Sequence, residues 1–165
     1  MLNKVQKNSF IKILILITAI CLLGGCGKVK DKTFVKDDMS IVLTDKFRED
    51  ELAGQTAYYL SAKSIVVILK EDFSSLSGYN TDDMDVMKYA ELVVDSNSFD
   101  TEIVVIEGIP TWEYQKTIAG NDFGYFAATY KGDRAFYLVQ FACELDEFTE
   151  FKADFIKWAK SFKHS

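Results

Sequence analysis

Few side chains in this sequence are equipped for nucleophilic, metal or acid–base chemistry, and their spacing narrows the choice further. There are three cysteines, Cys21, Cys26 and Cys143, and one histidine, His164. A cysteine nucleophile works as a thiolate beside a base, most often a histidine. His164 stands next to the last residue, in a basic tail, and makes a poor partner for any of the three. Cys143 falls in the apolar run Phe136–Cys143, which suits a small buried hydrophobe. Structural or catalytic zinc takes several His or Cys ligands, and beyond Cys26 the chain offers one of each, Cys143 and His164. Asp82-Asp83-Met84-Asp85 gathers three carboxylates, yet the residues that follow do not complete an EF-hand calcium loop. That cluster reads instead as the start of a helix, where the dipole favours negative charge. Glu102, Glu107 and Glu113 are the acids a paired carboxylate mechanism would draw on, but their context is that of exposed strand residues. No glycine-rich phosphate loop occurs. The expectation is a non-enzymatic protein with no cofactor and no metal.

Cys26 stands in a different context. Lys4, Lys7 and Lys12 precede an apolar run, Ile13–Leu23, broken only by Thr18, and no acid occurs before Asp31. Such a run is about half the roughly 20 residues that a bilayer-spanning helix needs, so basic flank and short core describe a secretory signal. The run closes on Leu23-Gly24-Gly25-Cys26, which resembles a bacterial lipobox: an aliphatic residue three before the cysteine, and small residues between that let a peptidase reach the backbone. At Cys21 the preceding Ile20 is too bulky for such a cut. What the resemblance implies is a diacylglyceryl group on the Cys26 sulfur, cleavage before Cys26, and acyl chains such as palmitate in the membrane. Two chains anchor stably where one holds only marginally. The expected organisation is a signal peptide over 1–25, a lipidated N-terminus and tether over 26–38, and a globular domain over 39–165, on the extracytoplasmic face of the cell membrane.

Composition sets further bounds. Residues 1–25 carry three lysines and no acid, so their removal takes the formal charge from −6 to −9. A domain this acidic is repelled by nucleic acid and by anionic lipid heads, which leaves the anchoring to the lipid on Cys26. The remaining chain is long enough for one domain with its own core. With Cys21 removed and Cys26 acylated, Cys143 has no partner for an internal disulfide.

The pattern downstream predicts the elements that would position any surface. Short strands are expected at Thr33–Lys36 and Ser40–Leu43, a hairpin from Gln55–Ser61 and Ser64–Glu71, and a meander of Glu102–Glu107, Thr111–Ile118, Asp122–Tyr130 and Arg134–Cys143. The connections Gly108-Ile109-Pro110, Ala119-Gly120-Asn121 and Lys131-Gly132-Asp133 each supply a glycine for positive φ. Links this short make the sheet mainly antiparallel. A helix capped by Thr81 or Asp82 is predicted to run to about Ser96, with Val86, Ala90, Val93 and Val94 on one face. A second helix, Asp146 to about Phe162, carries Phe148, Phe151, Phe155, Trp158 and Phe162 as a stripe, with acids at its start and lysines at its end. Phe136–Cys143 is apolar on both faces except at Gln140, as befits a central strand. The predicted class is α+β: about six mainly antiparallel strands with two principal helices, either one on each face or both on one.

That order of elements, from Met39 to Phe162, resembles the PsbP-like fold, which includes the photosystem II extrinsic protein PsbP, the yeast Ran-binding protein Mog and bacterial lipoproteins of the DcrB and LpqN kinds. The resemblance rests on element order and on the texture of Phe136–Cys143 followed by Phe148–Phe162. It implies an envelope protein with a binding or accessory role and carries over no site residue. The expected function is a membrane-anchored protein-binding module with an envelope partner. Alternatives are a carrier of small apolar ligands, or a carboxylate-based hydrolase. The candidate partner surface is the half-exposed strand Thr111–Ile118, through Glu113, Gln115 and Thr117, with the adjoining turn at Gly120 and Asn121. Trp112 and Tyr114 on that strand are of the type enriched at interfaces, although the alternation also allows both to face the core.

Overall fold

A computed structural model describes residues 29–76 and 78–165. The described residues build ten strands and two helices. The strands are β1 (Asp31–Lys36), β2 (Met39–Thr44), β3 (Arg48–Asp50), β4 (Ala57–Leu60), β5 (Ser64–Asp72), β6 (Val104–Ile106), β7 (Ile109–Ile118), β8 (Asn121–Lys131), β9 (Ala135–Glu144) and β10 (Lys163–His164). The helices are α1 (Val86–Asn97) and α2 (Phe148–Ser161), and a single 3-10 turn spans Phe73–Ser75. Seven strands form one sheet in the order β3-β4-β5-β9-β8-β7-β6, and β1-β2-β10 form a second. Every pairing is antiparallel. The α+β class and antiparallel sheet follow the sequence pattern; the division into two sheets, and the short strands β3 and β10, do not show in it.

β9 is the centre of the molecule. Its odd-numbered residues Tyr137, Val139, Phe141 and Cys143 enter a core with Phe155, Trp158, Ala159 and Phe162 of α2 and with Phe34, Met39, Ile41 and Leu43 of the small sheet. Its even-numbered Phe136 and Leu138 enter a second core with Trp112, Ala127 and the α1 residues Tyr89, Ala90, Val93 and Val94. One helix therefore covers each face. Gln140, the polar exception, donates to the Tyr114 hydroxyl at 2.9 Å, which removes the cost of burying an unpaired amide.

Local details correct several expectations. α1 starts at Val86, and its cap is Asp85, whose carboxylate accepts from the Lys88 backbone N–H, rather than Thr81 or Asp82. Met84 and Tyr89 lie in the same buried cluster on either side of that cap, the arrangement of a hydrophobic staple, and this fixes where the helix can begin. Asp82 and Asp83 stay exposed ahead of it. α2 begins at Phe148, two residues later than predicted, and its stripe is fully buried only from Phe155 onward. The turn before β7 is Glu107-Gly108 alone, with Pro110 already inside β7 opposite Val105 of the edge strand β6. Positive φ at Glu107 and Gly108, and at Ala119 and Gly120, makes both two-residue hairpins of the primed kind. Gly132 has no positive φ; it is needed because an added Cβ would stand 2.6 Å from the Ser165 carbonyl oxygen. Residues 31–38, read as tether, belong to the folded domain: β1 pairs with β2 along its whole length.

Candidate functional site

Leu23, Gly24, Gly25 and Cys26 lie outside the described residues. Of the candidate partner surface, Gln115, Thr117, Gly120 and Asn121 are exposed, and Glu113 is half-buried in an ion pair with Lys152 at 2.8 Å. Thr117 donates to Asp122 across the hairpin at 2.5 Å. The aromatics beside them face the other way: Trp112 is buried in the α1 core, and Tyr114 stacks between Phe99 and Tyr125. The three strand acids are not brought together. Glu107 pairs with Lys160, Glu113 with Lys152, and Glu102 is exposed. Cys143 is buried, and desolvation first, then the nearby Glu147, Asp146 and Glu144, pushes its thiol up to about 12. A thiol so perturbed stays protonated and unreactive at neutral pH.

The chemistry-bearing side chains that do converge were not found from the sequence. Strand register separates the domain into two ends. One end carries the β4–β5 turn, the β7–β8 turn and the start of α2; the other carries the β1–β2 turn, the end of β5 and the β8–β9 turn. At the second end a cavity of about 540 Å³ is lined by Asp38, Lys70, Asp72, Arg134 and Tyr137 among others. One oxygen of Asp38 accepts from Lys70 at 2.7 Å and from the Tyr137 hydroxyl at 2.8 Å. The lysine hydrogen bond is the main cause that holds the Asp38 carboxyl below the usual carboxylate range. Burial, and then donation to Asp38, raise the Tyr137 phenol. The other Asp38 oxygen is buried and has no hydrogen-bond partner among the described residues. His164 stacks on Tyr137 with ring centroids 4.9 Å apart. These residues come from β2's turn, β5, β9 and the C-terminal strand, so no local spacing announced them.

At the first end, a groove of about 450 Å³ lies between Thr44–Arg48, Leu60–Ser64 and α2, with Phe47, Leu60, Phe151 and Trp158 among its lining and Val29 at its mouth. Phe47 meets Trp158 edge-on at 5.2 Å. Lys46 and Lys63 stand on its rim with Arg48 and Asp154.

A seven-stranded antiparallel sheet with a helix on either face, backed by a small second sheet, defines a protein of the PsbP-like fold. The solved structures agree. Cyanobacterial PsbP (CyanoP) from Synechocystis sp. PCC 6803 matches with a TM-score of 0.56 at 13% identity, over 88% of this chain and 99% of that one. A protein of Bacteroides thetaiotaomicron VPI-5482 matches at 0.56 and 10% identity, over 81% of this chain and 48% of its own. A mutant of the protein Mog1 matches at 0.50 and 10% identity, over 84% and 96%. At such identities the likeness is one of fold, and fold alone does not carry function. No protein-family model and no curated protein sequence matches the chain.

Proposed function

We propose that this chain is a lipoprotein on the extracytoplasmic face of the cell membrane, acting there as a non-enzymatic accessory module that binds an envelope protein. The observation that carries the reading is the position of the N-terminal chain. β1 begins at Asp31, so only four residues separate it from Cys26, and Val29 lies at the groove end of the domain. An acylated Cys26 holds that end to the bilayer and turns the polar cavity around Asp38 away from it. The lining of that cavity supports binding over catalysis: its lysine, carboxylate and phenol already bond to one another, and one Asp38 oxygen remains as an acceptor. The exposed β7–β8 hairpin faces the membrane-near end, where a partner in the same membrane can reach Gln115, Thr117, Gly120 and Asn121.

The test is photocrosslinking from the exposed Asn121, on the adjoining turn, in the native host membrane. Wild-type protein is expected to capture a discrete envelope protein. Replacing Glu113, Gln115 and Thr117 together by lysine should abolish capture while costing folding little, since surface changes usually stay within about 0.5 kcal/mol each. Undiminished capture would place the partner elsewhere. Loss of fatty-acid labelling in Cys26→Ser checks the anchor independently; normal labelling in that variant would remove it.

A further inference from the structure

We infer that the apolar groove beside Val29 takes an acyl chain of an anionic phospholipid from the membrane, with Lys46 and Lys63 at its rim holding the phosphate. The inference rests on the anchoring reading and adds to it a lipid site on the protein itself.

The reach of the chain brings the groove to the membrane. Only Gly27 and Lys28 separate Cys26 from Val29, and three steps of an extended chain at about 3.6 Å or less each keep the anchoring lipid and the groove mouth within roughly 11 Å of each other. The groove therefore opens at the bilayer interface. Its chemistry suits an acyl chain. Phe47, Leu60, Phe151 and Trp158 give it an apolar lining, and its volume of about 450 Å³ lies in the range of ligand pockets. Val29 at its mouth is 55% exposed, an apolar residue left in contact with solvent unless lipid covers it. Charge favours the same occupant. The chain as a whole is acidic at −6, and on that count its surface repels anionic lipid. Around this groove the balance reverses: Lys46, Arg48 and Lys63 line it against one carboxylate, Asp154. Arg48 is tied to Asp50 and Lys63 to Glu147, whereas Lys46, and Lys30 beside Val29, enter no ion pair among the described residues. Basic side chains next to a bilayer are drawn to anionic headgroups over about a Debye length, so the local cluster acts where the net charge does not.

The experiment uses the mature acylated protein, Cys26 to Ser165, in vesicles of phosphatidylethanolamine and phosphatidylglycerol whose phosphatidylglycerol carries brominated acyl chains. With Trp112→Phe, Trp158 is the sole tryptophan. Loss of Trp158 emission in these vesicles, which disappears in Lys46→Glu/Lys63→Glu and when the brominated lipid is phosphatidylcholine, supports the site. Unquenched Trp158 in protein that still floats with the vesicles overturns the site and leaves the anchor standing. Quenching seen only when the protein's own acyl chains are brominated also overturns it, since the groove then holds the chain's own lipid. Protein that fails to float, alike in wild type and Cys26→Ser, brings down the anchoring reading instead. If Trp112→Phe does not fold, a polarity-sensitive dye on Ala62→Cys reads the same groove, because Cys143 is buried. A dye shift independent of headgroup charge would again reject the phospholipid.

Discussion

Gly124 decides how closely α2 can approach the sheet. It lies in β8 and is buried, and an added Cβ would come within 2.5 Å of the Phe148 ring and 2.9 Å of the Phe148 Cβ. Ring rotation alone cannot clear the second contact, so the first turn of the helix must move. Gly124→Ala is expected to destabilise the domain by about 1–3 kcal/mol, as overpacked sites do. The same change should cost clearly less in a Phe148→Ala background, because the two side chains compete for one space. Urea denaturation of the four proteins measures this; strictly additive costs would mean the contact is not the cause. An isolated glycine inside a strand pattern is itself a signal of close backbone approach. That signal was present in the sequence at Gly124, whereas the need for Gly132 was not, since its neighbour Ser165 is distant in the chain.

Among the elements, those defined by their own periodicity were legible and those defined by a partner were not. The aromatic stripe of α2 and the two-faced apolar run of β9 carry their packing in their spacing, and both lie where the pattern puts them. β3 is a run of three charged residues, Arg48–Asp50, held in place by pairing with β4, and β10 exists because it pairs with β2. Neither has a pattern of its own. The groove was illegible for a similar reason: it is walled by residues from the β2–β3 link, the β4–β5 turn and α2. Trp158 is the element's anchor, 2% exposed and in ring contact with Phe47, Phe141 and Phe155. Trp158→Ala should cost about 3–5 kcal/mol, the range for a large core side chain cut to alanine. Calorimetric or denaturant unfolding checks this, and a loss well under about 1 kcal/mol would show that the stripe is not what docks α2 on the sheet.

At the scale of the whole molecule, two sheets must be held in register, and the ends of the domain differ in how this is done. Near the N-terminal end the tie is apolar, through Phe47, Phe141 and Trp158. At the far end it is polar: Asp38 on the β1–β2 turn of the small sheet bonds to Lys70 of β5 and Tyr137 of β9 in the large one. Because the folded state holds the Asp38 carboxyl below its ordinary range, this tie contributes stability above the unfolded value of about 3.9 and loses it as pH falls through the lower folded value. Wild-type protein should therefore lose denaturant resistance between about pH 5 and about pH 2, beyond what the other carboxylates cause. Asp38→Asn removes the titrating group, keeps an acceptor for Tyr137 and Lys70, and should flatten that part of the decline while being less stable near neutral pH. Denaturation midpoints followed across this range for both proteins give the comparison. Parallel curves would mean that the Lys70–Asp38 pair contributes nothing to joining the two sheets, as many partly exposed pairs do.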